Sequence, residues 1–143
     1  MPGLRAALNF PGIAEEVLEY YKSIVGGDVQ LFRFEGTPTE QYVPADYKKK
    51  ILWGTLTCDF GELYVMDAPP GREGSAGTNF TLCLECEDET RAKTMFDGLA
   101  SGGNLEMPWD AAFFAKKFGM ATDKYGIPWM VNVPLDQPMT PAK

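Results

Sequence analysis

Apolar positions along the chain change period in one order, and then repeat that order. Leu4 to Phe10 reads as a short strand, and Pro11-Gly12 opens a segment where Val17, Leu18, Tyr21, Ile24 and Val25 recur at helical spacing. Gly26-Gly27 stops it, as a left-handed C-terminal cap would. Asp28 to Glu35 reads as a second strand, followed by a loop with Gly36, Pro38 and Pro44. A strand from Lys50 to Cys58, a turn at Asp59-Phe60-Gly61 and a return strand from Glu62 to Asp67 complete the first round. Ala68 to Gly77, rich in Pro, Gly and small residues, is the clearest break.

Beyond it the pattern restarts. Asn79 to Cys86 alternates as a strand, and Asp88 is placed to cap a helix carrying Ala92, Met95, Phe96 and Leu99. Gly102-Gly103 ends that helix, with short strands expected near Asn104–Met107 and Phe114–Thr122. Asp123-Lys-Tyr-Gly126 turns the chain into a last strand, Ile127 to Val133. Moving Val17, Tyr20, Tyr21 and Ile24 forward by about 75 positions lands on Ala92, Met95, Phe96 and Leu99. Two rounds of strand, helix and three strands therefore predict an internal duplication of α+β type. The expected organisation is a first module over 1–67, a linker over 68–78, a second module over 79–133 and a flexible tail over 134–143.

Composition narrows the chemistry. The 143 residues suit one domain or two small modules sharing a core, and 45% hydrophobic content is ample to pack it. A net charge of −7 weighs against nucleic acid or an anionic membrane as partner. No apolar run approaches the roughly 20 residues of a membrane span, and the N-terminus lacks a signal-peptide layout, so the expected address is cytoplasmic. Lys48-Lys49-Lys50 reads as a solvated strand end that discourages edge pairing. Three cysteines are too few for a disulfide framework. Cys83 and Cys86 form a CxxC string inside a strand pattern, where side chains three apart point to opposite faces and cannot chelate together. The chain has no histidine, which removes the Ser-His-Asp triad, the HExxH zinc helix and the two-His facial triad. There is no GxSxG elbow and no phosphate-cradling GxxxxGK[ST].

Several stretches carry a family resemblance. They are Leu8-Asn9-Phe10-Pro11-Gly12 with Ala14 to Lys22, Gly26-Gly27, Met66-Asp67-Ala68-Pro69-Pro70, Asn79-Phe80-Thr81-Leu82, and Phe118 to Asn132. Across nearly the whole chain they resemble the vicinal oxygen chelate superfamily, which includes glyoxalase I, extradiol dioxygenases, and fosfomycin and bleomycin resistance proteins. Within it the chain looks like the PhnB-like group. The resemblance implies a glyoxalase/bleomycin resistance fold: paired βαβββ modules forming a curved mixed sheet around a cleft, in a homodimer. Some members hold a divalent metal there through His, Glu or Gln, and others sequester a ligand without metal. PhnB-like proteins are also often labelled as demethylubiquinone methyltransferases. No Gly-rich strand-to-helix loop for S-adenosylmethionine is visible, so that label is discounted.

The resemblance places the metal-ligand positions on residues that cannot serve. The first falls on Ala6 or Ala7; the His-Ala-Glu of PhnB-like relatives is Trp53-Gly54-Thr55; the others fall on Thr81 and Met130. The expectation is no metal and no cofactor. Strand alternation independently turns Phe80, Leu82, Leu84 and Cys86 toward the helices, together with Leu52, Leu56 and Cys58. It leaves Ile51 and Thr57 inward beside a cleft wall of Trp53, Thr55, Asn79, Thr81, Met130 and Asn132. That mixture suits a small-molecule pocket. Trp53 reads equally as a stacking platform or as filler of an emptied metal site, Met130 rather as filler, and Asn79 and Thr81 as satisfying local backbone groups. Trp109-Asp110 and Phe113-Phe114, expected in a loop and strand start, could border the cleft or a dimer seam. Glu85, Glu62 and Asp59 are possible carboxylate bases that read better as solvated strand ends. Arg5 and Arg33 are lone arginines with no partner at a telling spacing. The expected protein is thus a metal-free small-molecule binder rather than an enzyme, its ligand unspecified. A lyase or dioxygenase using carboxylates such as Glu62 or Glu85, or a ligand-free interaction protein, are the alternatives.

Overall fold

The computed structural model describes residues 3–72, 74–75, 77, 79–137 and 139–142. Glu73, Ala76 and Thr78 of the expected linker, and Pro138 and Lys143 of the expected tail, lie outside them. The chain forms two compact units, Met1–Ser75 and Ala76–Lys143. The first contains strand β1 (Ala7–Phe10), helix α1 (Ala14–Val25), and strands β2 (Asp28–Arg33), β3 (Ile51–Cys58) and β4 (Gly61–Asp67). The second contains β5 (Leu82–Glu85), α2 (Glu89–Ala100), β6 (Asn104–Ala112), β7 (Ala115–Thr122) and β8 (Pro128–Pro134). Their sheets have matching orders, β1-β4-β3-β2 and β5-β8-β7-β6. In each, the first and last strands of the unit pair in parallel and the others antiparallel. The fold is α+β, with each βαβββ module forming a four-stranded mixed sheet.

Each helix covers one face of its own sheet. Ala14, Val17, Leu18, Tyr21 and Val25 of α1 are buried, as are Leu8, Phe10, Leu56 and Val65 of the strands. Ala92, Met95, Phe96 and Leu99 of α2 are buried, with Trp129, Val131 and Val133 of β8. The two helices start differently. Asp88 caps α2 as expected, its Oδ1 accepting from Arg91 N at 3.1 Å. Ile13 gives α1 no side-chain cap; Asp67, at the far end of β4, accepts from Ala14 N at 2.8 Å instead.

Three expectations need correction. First, β5 begins at Leu82, so Asn79 and Thr81 precede the strand and Phe80 is 39% exposed rather than under a helix. Leu82 pairs with Trp129, so Thr81 would face Pro128, which has no N–H to extend the ladder. Second, the β2–β3 register shifts: Phe32 faces Trp53 but Arg33 faces Ile51, leaving Leu52 as an extra residue. The bulge reverses the expected faces, burying Ile51 near Gly54 and Leu18 and setting Leu52 beside Asn9 and Met66. Third, Trp109 and Asp110 lie in β6, which extends to Ala112, and only Phe113-Phe114 form the turn into β7. The expected loop after β2 contains two short 3-10 turns, Pro38–Tyr42 and Ala45–Tyr47.

Gly54 lies in β3 on the face that packs against α1. A Cβ there would stand 2.6 Å from both Leu18 Cδ1 and the Val65 carbonyl oxygen. The leucine tip can move, but the paired strand cannot. Gly54→Ala is therefore expected to destabilise by about 1–3 kcal/mol, as overpacking does. An unchanged urea midpoint would show that the β3–β4 pairing gives way at no cost.

Candidate functional site

The face of the first sheet opposite α1 carries the polar and aromatic side chains that alternation leaves over. Across β2, β3 and β4 the register aligns Gln30 with Thr55 and Tyr64, and Asp28 with Thr57 and Glu62. Trp53 lies two residues before Thr55, on the same face. These residues surround an open cavity of about 500 Å³. Trp53 is 38% exposed, and its ring centroid lies 4.5 Å from that of Tyr64, tilted by 44°. Such a tilted pair forms a rigid aromatic wall.

A hydrogen-bond network fixes the polar side. Thr57 Oγ1 donates to Glu62 Oε2 at 3.1 Å, Arg5 Nε lies 3.1 Å from Glu62 Oε1, and the Tyr64 phenol also donates to Glu62. The Tyr64 hydrogen bond, then that of Thr57, holds the Glu62 carboxyl below its ordinary pKa. The same bond raises the Tyr64 phenol. A general base working near neutrality needs the opposite shift. Glu62 is thus suited to hold Tyr64 and Arg5 in place. Arg33 is also paired, with Nη1 and Nη2 at 3.0 and 3.1 Å from the Glu15 carboxylate and Nη1 2.6 Å from Lys49 O. Arg5 and Arg33 are partnered through the fold, not through sequence spacing.

The second sheet also presents a face opposite its helix. There Met130 pairs with Cys83 and Met120, and Asn132 with Glu85 and Phe118. Asn132 Oδ1 is buried and has no hydrogen-bond partner among the described residues. Burial, and then the nearby Glu85 charge, pushes the Cys83 thiol up, so it is a poor nucleophile. Trp109 stacks on Phe96 of α2 at 5.3 Å, which places it with the helix side. Phe113 is 85% exposed and meets Phe114 edge-on, and Phe114 meets Phe118 in the same way.

Of the expected site residues, the structure brings Trp53 and Thr55 into one pocket of the first unit. Met130 and Asn132 share one face of the second unit's sheet, and Asn79 and Thr81 lie in the segment before it. Tyr64, Gln30 and Asp28 went unnoticed in the sequence. The available signal was the alternation of β4, which puts Glu62 and Tyr64 on one face. Among the described residues, no three Cys, Asp or Glu side chains are grouped to hold a metal ion, and no helix is long and apolar enough to cross a membrane.

Comparison with known proteins gives a consistent picture. The profile of the 3-demethylubiquinone-9 3-methyltransferase family matches residues 3–132. Protein YjdN of Escherichia coli K12 is 30% identical, over 92% of this chain and 95% of its own. A solved Bacillus cereus protein, described as a putative 3-demethylubiquinone-9 3-methyltransferase and PhnB protein, is 25% identical, with a TM-score of 0.73 over 92% and 98% of the two chains. A glyoxylase/bleomycin resistance protein/dioxygenase domain from Frankia sp. EAN1pec, 14% identical, gives 0.65 over 95% and 94%, a likeness of fold.

The residues do not fit either group these names imply. A nucleotide-like methyl donor calls for a Gly-rich loop opening a helix at the end of a parallel strand. Here Phe10-Pro11-Gly12-Ile13 makes that junction, and Ala14 N–H at the helix start is already taken by the Asp67 carboxylate. A divalent metal calls for imidazole or carboxylate donors. Trp53 and Thr55, the positions the resemblance assigns to ligands, offer an indole and a hydroxyl; of the two carboxylates in the same cavity, Glu62 is already engaged by Arg5 and Thr57, which leaves Asp28 without a second free donor.

Proposed function

The chain belongs to the 3-demethylubiquinone-9 3-methyltransferase family, the PhnB-like group, and from that premise we propose that it binds a small organic molecule without metal, as a homodimer. The observation that carries this reading is the exposed Trp53, stacked on Tyr64 above a hydrogen-bonding floor. A large aromatic held rigid yet left open is costly to solvate and well placed to receive a flat ring. Gln30, Thr55 and Thr57 supply donors and acceptors beside it. The ligand class that suits this wall is an unsaturated ring bearing hydroxyl or amino groups. The lone Asn132 Oδ1 supports polar recognition too, since an unpaired buried acceptor costs about 1–3 kcal/mol that an N–H or O–H would recover.

Trp53→Ala separates platform from filler. As a platform, its removal is expected to cost about 1–2.5 kcal/mol of stability, the ring pair together with the covered part of the indole. It should also abolish saturation-transfer NMR signals from a panel of hydroxylated and amino-substituted aromatics. A loss of about 3–5 kcal/mol, typical of a core aromatic, with no change in that panel, would overturn the reading. Native mass spectrometry of untagged protein should show a dimer with a retained small molecule; a metal-loaded monomer would contradict both parts.

A further inference from the structure

A second cavity of the first unit has a different character. It encloses about 380 Å³, at the small end of ligand pockets, and lies beside Asn9, Phe34, Leu52, Met66, Ala68 and Arg72. The bulge in β3 creates its apolar wall, because Leu52 is turned beside Met66 instead of under α1. Phe34 and Ala68 are buried, and Tyr47 OH donates to the Ala68 carbonyl, fixing that side. Asp67 also borders the cavity, but its oxygens already accept from Ala14 N and Ile51 N, both at 2.8 Å. Its charge is held by two backbone donors and the α1 N-terminus.

Among the described residues, Arg72 is the only cation lining this cavity, and its guanidinium has no hydrogen-bond or ion-pair partner. The contrast with Arg5 and Arg33, both paired to glutamates, is informative. In a chain of net charge −7, an arginine over an apolar hollow with no acidic partner among the described residues is a local exception. We propose that this cavity binds a small apolar acid, with Arg72 pairing its carboxylate and Leu52, Met66 and Phe34 covering its hydrocarbon. Guanidinium matches carboxylate in a two-pronged, charge-assisted geometry, and the apolar wall rejects a bare hydrated anion. The site is separate from the Trp53–Tyr64 wall and does not depend on it.

The competing role for Arg72 is to lay its stem over apolar surface with its head in water. Arg72→Met keeps the stem and removes the charge, so it distinguishes the two. Amide-resolved NMR titration with sodium octanoate should shift Met66, Ala68 and Arg72. Arg72→Met should weaken octanoate at least tenfold, and Arg72→Lys less. Octanamide and inorganic phosphate should each bind the native protein at least tenfold more weakly than octanoate. Equal binding of octanoate and octanamide, or an unchanged affinity in Arg72→Met, would overturn the proposal. So would phosphate binding as well as octanoate, the sign of an adventitious ion only, or shifts confined to Trp53 and Tyr64. Trp53→Ala should leave octanoate affinity unchanged, so either site can fail without the other.

Discussion

Asp67→Ala is expected to destabilise the first unit by about 2–6 kcal/mol, from two buried N–H groups left without acceptors at about 1–3 kcal/mol each. Asp67 is 3% exposed, and its two oxygens receive one donor from each of two elements. Oδ1 accepts from Ala14 N, the first residue of α1, and Oδ2 from Ile51 N, the first residue of β3. One side chain therefore closes a helix start, anchors a strand start and places a negative charge at the favourable end of α1. The anchored strand start is also where the bulge forms, so Asp67 helps decide that Trp53 faces outward. Asp67→Asn retains one acceptor and turns an amide N–H₂ toward the other donor, so it should fall between wild type and alanine. Native-state hydrogen exchange gives the local readout: Ala14 and Ile51 amides should lose protection before the rest of the unit. Equal stability of all three proteins would mean that water satisfies both donors and that the carboxylate is dispensable.

The elements were legible because their signals are local. Helical spacing marked α1 and α2, glycine pairs marked their ends, and Asp88 marked a cap that lies three residues from its donor. Trp53 and Thr55 could be assigned to one face for the same reason, since alternation needs only neighbouring residues. Features requiring a distant partner were not legible. The α1 cap comes from 53 residues away, and Ile13 at the usual position offers nothing. The bulge at Leu52 depends on where β2 meets β3, which the apolar string Ile51-Leu52-Trp53 leaves ambiguous. The β5 start depends on Pro128 in another strand. Arg72 looked like one more loop residue until the bulge put an apolar wall beneath it. The residues that reshape the candidate sites are thus those whose placement is tertiary.

In the second unit the largest effect is expected at Asp123, which is 3% exposed. Its Oδ1 accepts from Tyr125 N at 2.8 Å and Ile127 N at 3.1 Å, which closes the turn. Its Oδ2 accepts from the Trp129 indole Nε1 at 2.9 Å, which ties that turn to the third-strand partner β8. The tie matters for function because β8 has strict alternation: Trp129, Val131 and Val133 are buried, while Met130 and Asn132 take the other face. A slip of one residue would exchange the two sets. Asp123→Ala removes three acceptor contacts, of which the indole one is buried and the two backbone ones part-buried; with about 1–3 kcal/mol for the buried donor and about 0.5–1 kcal/mol for each of the others, which water can reach, a loss of about 2–5 kcal/mol is expected. Trp129→Phe removes only the indole donor and some volume, so a loss of about 1–2 kcal/mol follows from the cost of the unpaired acceptor and the smaller ring. The double variant isolates the bond. If Asp123 and Trp129 act through one hydrogen bond, its loss should be smaller than the sum of the singles by about 1–2 kcal/mol, the range for a charge-assisted contact. Strict additivity in urea denaturation would show that the turn and the strand are held independently, and that another contact sets the register presenting Asn132.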